Sequence, residues 1–156
     1  MAASSAIDYY WMQYALSQAY IAALHQEVPI GAVLIGDNKV LGLAHNQPIR
    51  QCDPTAHAEI LCLRQASRAL QNYRLPNTTL YVTVEPCTMC FGALIHARVQ
   101  RLVFGASEPR AGAVGTAISL HQLSHYNHRI AVHSGVLAED CAQLLRDFFR
   151  RRRSSC

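Results

Sequence analysis

The chain has no apolar run near the roughly 18–20 residues needed to cross a bilayer. Its first residues, MAASSAIDYYWM, offer neither a basic n-region nor an apolar h-region, so no secretory leader is read there. Charge is scarce: charged residues make up 15% of the chain and apolar ones 51%, which excludes a disordered or coiled-coil composition. Lysine is nearly missing, since thirteen of the fourteen cationic residues are arginine. A second CxxC is missing as well, which counts against a four-cysteine structural zinc site. Of the six cysteines only Cys87 and Cys90 are close together; Cys52, Cys62, Cys141 and Cys156 stand singly, so a disulfide framework is not expected. These absences lead to the expectation of a cytoplasmic, non-membrane protein whose 156 residues form a single domain, 1–156, large enough to bury a core without staples.

The charge that is present is concentrated. Arg146, Arg150, Arg151, Arg152 and Arg153 stand against Asp147 alone, and this short stretch carries the whole net charge of +4. A neutral body with a cationic end points to an anionic partner addressed locally. Arginine in particular suits bidentate phosphate contacts and stacking.

Apolar spacing predicts a first helix over about 8–26, with Asp8 near its start. Two strands follow, Ile30–Ile35 and Val40–Ala44, joined by the turn residues Gly36-Asp37-Asn38-Lys39. A loop leads to a helix over about Thr55–Gln71, with Asp53 or Thr55 as its N-cap. Thr79–Val84 reads as a strand, Cys87–Ala97 as a helix and Arg101–Gly105 as a strand. After a loop with one helical turn near Ile118–Leu123 come a short strand, Arg129–His133, and an amphipathic helix. That last helix covers about 137–153, with Cys141, Leu144, Leu145 and Phe148 at helical steps. Strands and helices in this order predict one sheet with helices on both faces.

Two short motifs carry the chemistry: His57-Ala58-Glu59 at one helix start, and Glu85-Pro86-Cys87-Thr88-Met89-Cys90 where a strand passes into a helix. Cys87 and Cys90 are three apart and share a helical face, so both can grip one ion. A helix N-terminus and a metal both favour the thiolate form. With a neutral nitrogen from His57 there are three protein donors, and the open fourth position marks a catalytic zinc rather than a structural one. A water held there is acidified near neutral pH. Glu59, two residues from His57, is placed to accept that water's proton and return it to substrate. Either motif alone is weak, since a lone CxxC also fits a redox pair; together, at these helix starts, they are a strong signal.

HAE followed by PCTMC matches the H-x-E…P-C-x-x-C pattern of zinc deaminases in the cytidine-deaminase superfamily. Segments VPIGAVLI, NQPI, DPTAHAEI, QNYRLPNTTLYVTVEPCTMCFGALIHARV, RLVFGA, NHR and LLRDFFR extend the likeness. Through them the chain resembles the bacterial tRNA-specific adenosine deaminases along almost its full length. The resemblance implies a three-layer α/β/α cytidine-deaminase-like fold with a central mixed five-stranded sheet. It implies one Zn2+ per subunit and hydrolysis of the wobble adenosine of a tRNA anticodon to inosine, with ammonia released. The implied partners are the anticodon arm of an arginine tRNA and a second copy of the chain, as a homodimer. Residue by residue, His57, Cys87 and Cys90 match the zinc ligands and Glu59 the acid/base. Asn46 matches a polar contact to the target nucleoside, the backbone at Ala58 meets the purine, and Ile30 and Val84 match apolar pocket walls. On pattern alone Asn46 is equally a turn asparagine, and Ile30 and Val84 are plain strand core.

Phe148 and Phe149 beside Arg150, Arg151, Arg152 and Arg153 suit a single-stranded loop whose bases are splayed outward. The alternative is a solvated basic helix end. Asn127-His128-Arg129 either helps hold that loop or forms a polar turn. The chain departs from the family at Cys52, a thiol in a loop, and at Glu108-Pro109, in a segment that borders the nucleic-acid strand. Two other functions stay open. One is a deaminase of a free base or nucleoside, of guanine or cytosine type, against which the arginine-aromatic tail counts. The other is a silent RNA-binding subunit with structural zinc, against which the presence of Glu59 counts.

Overall fold

Apolar residues fill successive positions along the middle strands, because neighbouring side chains point to opposite faces and both faces are covered. The computed structural model describes residues 4–155, so Cys156 lies outside the described residues. The strands are β1 (Gly31–Gly36), β2 (Lys39–His45), β3 (Thr78–Val84), β4 (Arg101–Ala106) and β5 (Ala131–Ser134). They form one sheet in the order β2-β1-β3-β4-β5. β1 runs antiparallel to both its neighbours, while β3, β4 and β5 are parallel. The three-layer α/β/α arrangement and mixed five-stranded sheet expected from the sequence are the ones observed.

Helices α1 (Ala6–Leu24) and α5 (Ala138–Ser154) cover one face of the sheet. There Trp11, Met12 and Cys141 pack on Val33, Tyr81 and Val103. Helices α3 (Ala58–Leu70) and α4 (Thr88–His96) cover the other, where Leu61, Cys62, Phe91 and Leu94 meet Leu34, Leu80, Val82 and Leu102. Cys62 and Cys141 are thus small core residues, and the five described cysteines are all free thiols. Contact between α1 and the sheet is direct: a Cβ on Gly31 would lie 2.0 Å from the Ala15 carbonyl oxygen. Among the described residues no helix is long and apolar enough to cross a membrane.

The β1–β2 hairpin is as expected. Asp37 and Asn38 have φ of 49° and 57°, the left-handed pair of a type I′ turn that matches strand twist. Asp8 has a larger role than a place near the start of α1. Ser5 caps the helix and Asp8 closes a capping box with it. Its buried carboxylate also accepts from the Arg101 guanidinium at 2.7 and 2.9 Å and from the Tyr81 hydroxyl at 2.9 Å. The Arg101 hydrogen bonds, aided by Tyr81, hold Asp8 well below the usual carboxylate range despite its burial. This joint lies at the end of β4 remote from the candidate site.

Two local expectations are corrected. The loop after β2 contains a short helix, α2 (Pro48–Gln51), with Pro48 at its first position. Its N–H groups at Ile49 and Arg50 donate to the buried Glu27 carboxylate at 3.4 and 2.7 Å, a tertiary cap that no local pattern reveals. Helix α3 starts at Ala58, not Thr55, because Asp53 turns back to accept from the Thr55 N–H and hydroxyl instead of capping. The helical turn expected within Ile118–Leu123 is present, as a 3-10 turn at Leu120–Gln122.

Candidate active site

At the carboxyl end of β3 the chain leaves the sheet at Val84, passes Glu85-Pro86 and enters α4 with Cys87 as N-cap. His57 is the N-cap of α3 on the neighbouring connection. Both caps have extended backbone, and neither uses its side chain to cap, so the imidazole and thiol are free to face one another. The His57 Nδ1 lies 3.7 Å from Cys87 Sγ and 3.5 Å from Cys90 Sγ. All three donor atoms fall within 4.8 Å of one another, and together they could hold one metal ion. Ligands gathered beyond the carboxyl ends of parallel strands occupy the usual crevice of an open α/β sheet.

Glu59, one residue into α3, is only 4% exposed. Burial is the main cause that pushes its carboxyl up to about 7, and the charge on Cys87 adds to it. A carboxyl that titrates near neutrality suits a group that must both take and give a proton. The Cys87 thiol is drawn down to about 4, chiefly by the hydrogen bond from Cys90 and then by His57, against the cost of burial. Cys90 is correspondingly raised. Hydrogen bonding to Cys87 raises His57.

Asn46 is 5% exposed, and its side-chain oxygen accepts the Ala58 N–H at 2.8 Å. Asn46 thereby supplies the cap that α3 lacks locally. The same bond occupies the Ala58 N–H and one lone pair of the Asn46 oxygen, and it leaves the amino half of the carboxamide to donate to a ligand. The Ile30 carbonyl receives the Asn46 N–H at 3.0 Å, so Ile30 helps set this residue, and its side chain packs partly buried on the core. Val84 is buried opposite Ala106, directly before the Glu85-Pro86 step.

Helical geometry divides the basic run. Phe148 turns inward, 8% exposed, with the Arg152 guanidinium over its ring at 5.8 Å. Arg151 and Arg152 line a groove between α5 and α1. Phe149 is 41% exposed and, with Arg146, Arg150 and Arg153, forms a stripe at steps of three and four residues. That stripe faces Ser107, Glu108 and Arg110 across a groove of about 730 Å³. The Asn127 cluster lies elsewhere: Asn127 accepts from Arg98 at 2.8 Å, and the His128 Nε2 donates to the Val99 carbonyl at 2.7 Å. Arg129 donates to the Leu123 carbonyl. Asn127 and His128 thus pin the loop before β5 to the segment that follows α4, and Arg129 braces that loop internally.

Sequence reasoning missed Arg110 and Arg146 as groove residues, and it named Glu85 only as the first residue of the second motif, with no role of its own. Glu85 is 3% exposed, and its carboxylate accepts the N–H groups of Glu108, Val114 and Thr116 at 3.0, 2.9 and 3.1 Å. Burial works to raise its carboxyl, but hydrogen bonds from Thr116, Glu108 and Val114 outweigh it and the net direction is down. A usable signal existed: a lone carboxylate directly after the strand residues Tyr81–Val84, which read as buried, has to find donors somewhere.

A hydrolytic deaminase is the class of protein that such a frame, with such donors at its strand ends, defines. In agreement, the family model for MafB19-like deaminases matches residues 8–153. The tRNA-specific adenosine deaminase of Haemophilus influenzae is 51% identical over 150 residues, covering 96% of this chain and 87% of that protein. A structure solved in a study of A-to-I editing by tRNA:A34 deaminases superposes with a TM-score of 0.85 at 42% identity, covering 87% of this chain and 99% of that one. A guanine deaminase from Bacillus subtilis gives 0.60 at 32% identity over 63% of each chain. The chain belongs to the tRNA-specific adenosine deaminase family.

Proposed function

We propose that the chain, acting as one domain over residues 1–156, converts the wobble adenosine of a tRNA anticodon to inosine by hydrolysis. The observation that carries this reading is the juxtaposition of three metal donors with the buried Glu59, on a chain 51% identical to a tRNA-specific adenosine deaminase.

Zinc is the metal the donor set fits. Bonds of about 2.3 Å to sulfur and 2.0–2.1 Å to nitrogen in a tetrahedron put such atoms about 3.6 Å apart, and the two nitrogen–sulfur separations here are 3.5 and 3.7 Å. His57, Cys87 and Cys90 would hold it, one ion per chain. When bound, such an ion supplies acidification of a water at neutral pH. Glu59 takes one proton of the water at its carboxylate and gives it to the purine ring nitrogen. It then takes the second, from the oxygen now bonded to the purine carbon, and gives it to the departing amine, so that the C–N bond breaks and ammonia leaves. The free amino half of Asn46 donates to the nucleoside, and Ile30 and Val84 bound the base. Burial around Glu59 keeps bulk water from competing for its proton.

The phosphate chain of the anticodon loop follows the groove between Glu108 and α5, where Arg110, Arg146, Arg150 and Arg153 neutralise it and Phe149 offers a stacking face. A free purine needs no such groove, which disfavours the guanine-type reading despite the partial likeness to a guanine deaminase. Homodimer formation is favoured by an apolar groove on α3 and α4, lined by Ile60, Leu63, Ala93 and Ala97. The choice of an arginine tRNA and a cytoplasmic location rest on the family resemblance. Incubation of the zinc-loaded protein with an anticodon stem-loop carrying the wobble adenosine, and separately with free guanine, cytosine and adenosine, tests the reading. Inosine in the stem-loop by mass spectrometry is the expected result; turnover of free bases alone would overturn it.

A further inference from the structure

Glu85 belongs to no part of the chemistry above, yet it is among the most committed side chains in the molecule. It sits two residues before Cys87, at the point where β3 hands over to the metal-binding helix. From there its carboxylate reaches a segment more than twenty residues later and gathers the N–H groups of Glu108, Val114 and Thr116. The neighbouring Pro86 carbonyl accepts a fourth, from Ala113, at 2.9 Å. Inside the segment, the Gly112 N–H donates to the Glu108 carbonyl at 2.9 Å and the Arg110 N–H to the Glu108 carboxylate at 2.9 Å. The loop is thus a closed turn hung on one buried acceptor. Fit at this joint is tight: a Cβ on Gly112 would lie 2.5 Å from the Glu85 carboxylate and 2.5 Å from the Glu108 carbonyl oxygen. The outer side of the same turn, through Ser107, Glu108, Pro109 and Arg110, is the wall of the arginine groove that faces α5.

We propose that Glu85 is a positioning residue for the polynucleotide: by holding the 108–116 turn it fixes the groove wall at a set distance from the metal donors. The inference rests on the reading of that groove as the RNA path. Four backbone donors tied to Glu85 and Pro86 leave the turn little freedom of its own. A carboxylate accepts without donating, so it can serve three N–H groups at once. Glutamine in its place turns one of its two acceptors into a donor, which faces at least one N–H unfavourably. The turn then loosens, and the strand docks on a wall that must first be ordered, a cost that falls on binding before it falls on chemistry.

The test uses zinc-loaded wild type, Glu85→Gln, Glu85→Ala and Gly112→Ala, the last crowding the joint by a Cβ while leaving the carboxylate itself in place. Hydrogen exchange of the turn amides reads the anchor itself and needs no activity. Steady-state kinetics on the stem-loop read its use. Protection of the Glu108, Val114 and Thr116 amides is expected in wild type and reduced in all three variants. KM is expected to rise about tenfold in Glu85→Gln, the effect of leaving a buried N–H unpaired, and further in Glu85→Ala. Expected kcat stays within about threefold and zinc per chain is unchanged. Three results would overturn the inference: unchanged amide protection, faster exchange with unchanged KM, or a fall in kcat and zinc content at constant KM. Failure of wild type to make inosine would instead remove the RNA reading, while the exchange result still reports on the anchor.

Discussion

The metal cradle and the arginine groove are neighbours built on opposite plans. In the cradle, His57, Cys87 and Cys90 are held by backbone: each helix start is fixed by the sheet end behind it, and Asn46 closes the cap of α3. In the groove, long side chains from α5 face a turn that comes from another part of the chain. Donors in the cradle are half to fully buried, whereas Phe149, Arg150 and Arg153 stand in solvent. Geometry within tenths of an ångström is required for coordination and proton transfer, and rigid helix ends provide it. A phosphate chain needs charge at roughly the right place, and mobile guanidinium groups provide that. The contrast teaches that the two halves should fail in different units: one in turnover, the other in binding and its salt dependence.

The largest expected effect breaks the cradle. Glu59→Ala should lower the rate of inosine formation by about 10²–10⁴-fold, the usual worth of a general acid/base, with zinc content and stem-loop affinity retained. Single-turnover assays with metal analysis check it; near-native turnover would take the proton-carrying role away from Glu59. A change remote from both regions sharpens the comparison from outside. Asp8→Asn weakens the buried pair with Arg101, which is one-third exposed at its side chain, and should cost about 2–3 kcal/mol of stability with KM unaltered. Because the folded-state value of Asp8 lies below its unfolded one, its contribution is complete above the unfolded value of about 4 and is lost progressively as pH falls below it. The stability gap between wild type and variant in chemical denaturation should therefore narrow between neutral pH and pH 3; a constant gap would contradict the assignment.

Smaller effects are expected in the groove. Arg150→Ala with Arg153→Ala should weaken stem-loop binding about tenfold and reduce the salt slope by about 0.7 per arginine removed, leaving turnover of bound RNA intact. Smallest of all is the matched pair Arg151→Ala with Arg152→Ala on the other side of α5, which should change affinity by less than about twofold at the same loss of charge. Equal effects from the two pairs would show that net charge, and not the stripe, is what RNA reads.

The two plans also explain what the sequence let one see. The donors of the cradle lie in motifs six residues long or shorter, so His57, Glu59, Cys87 and Cys90 could be singled out directly, even though the start of α3 falls three residues later than its spacing predicts. The sheet and its two helical layers followed from apolar spacing. What could not be seen depends on partners far along the chain. The α3 cap comes from Asn46, α2 is held by Glu27, and the loop after β4 hangs on Glu85. Burial of Phe148 was within reach, because it falls on the Cys141–Leu144–Leu145 stripe that marks the apolar side of α5. Treating Arg150–Arg153 as one tail concealed the phase that separates them.

That phase gives α5 the character of a cam. Each residue advances the helix by about 100°, and Phe148, buried where α5 lies along Leu16 and Tyr20 of α1, is the key that locks its rotation. A single residue inserted between Leu145 and Arg146 would leave composition, charge and helix propensity almost untouched. It would nevertheless carry the stripe off the groove and bring a different side of the helix to the core. The information in this arginine-rich end is therefore angular, and reading frame along the helix matters there as much as the number of charges.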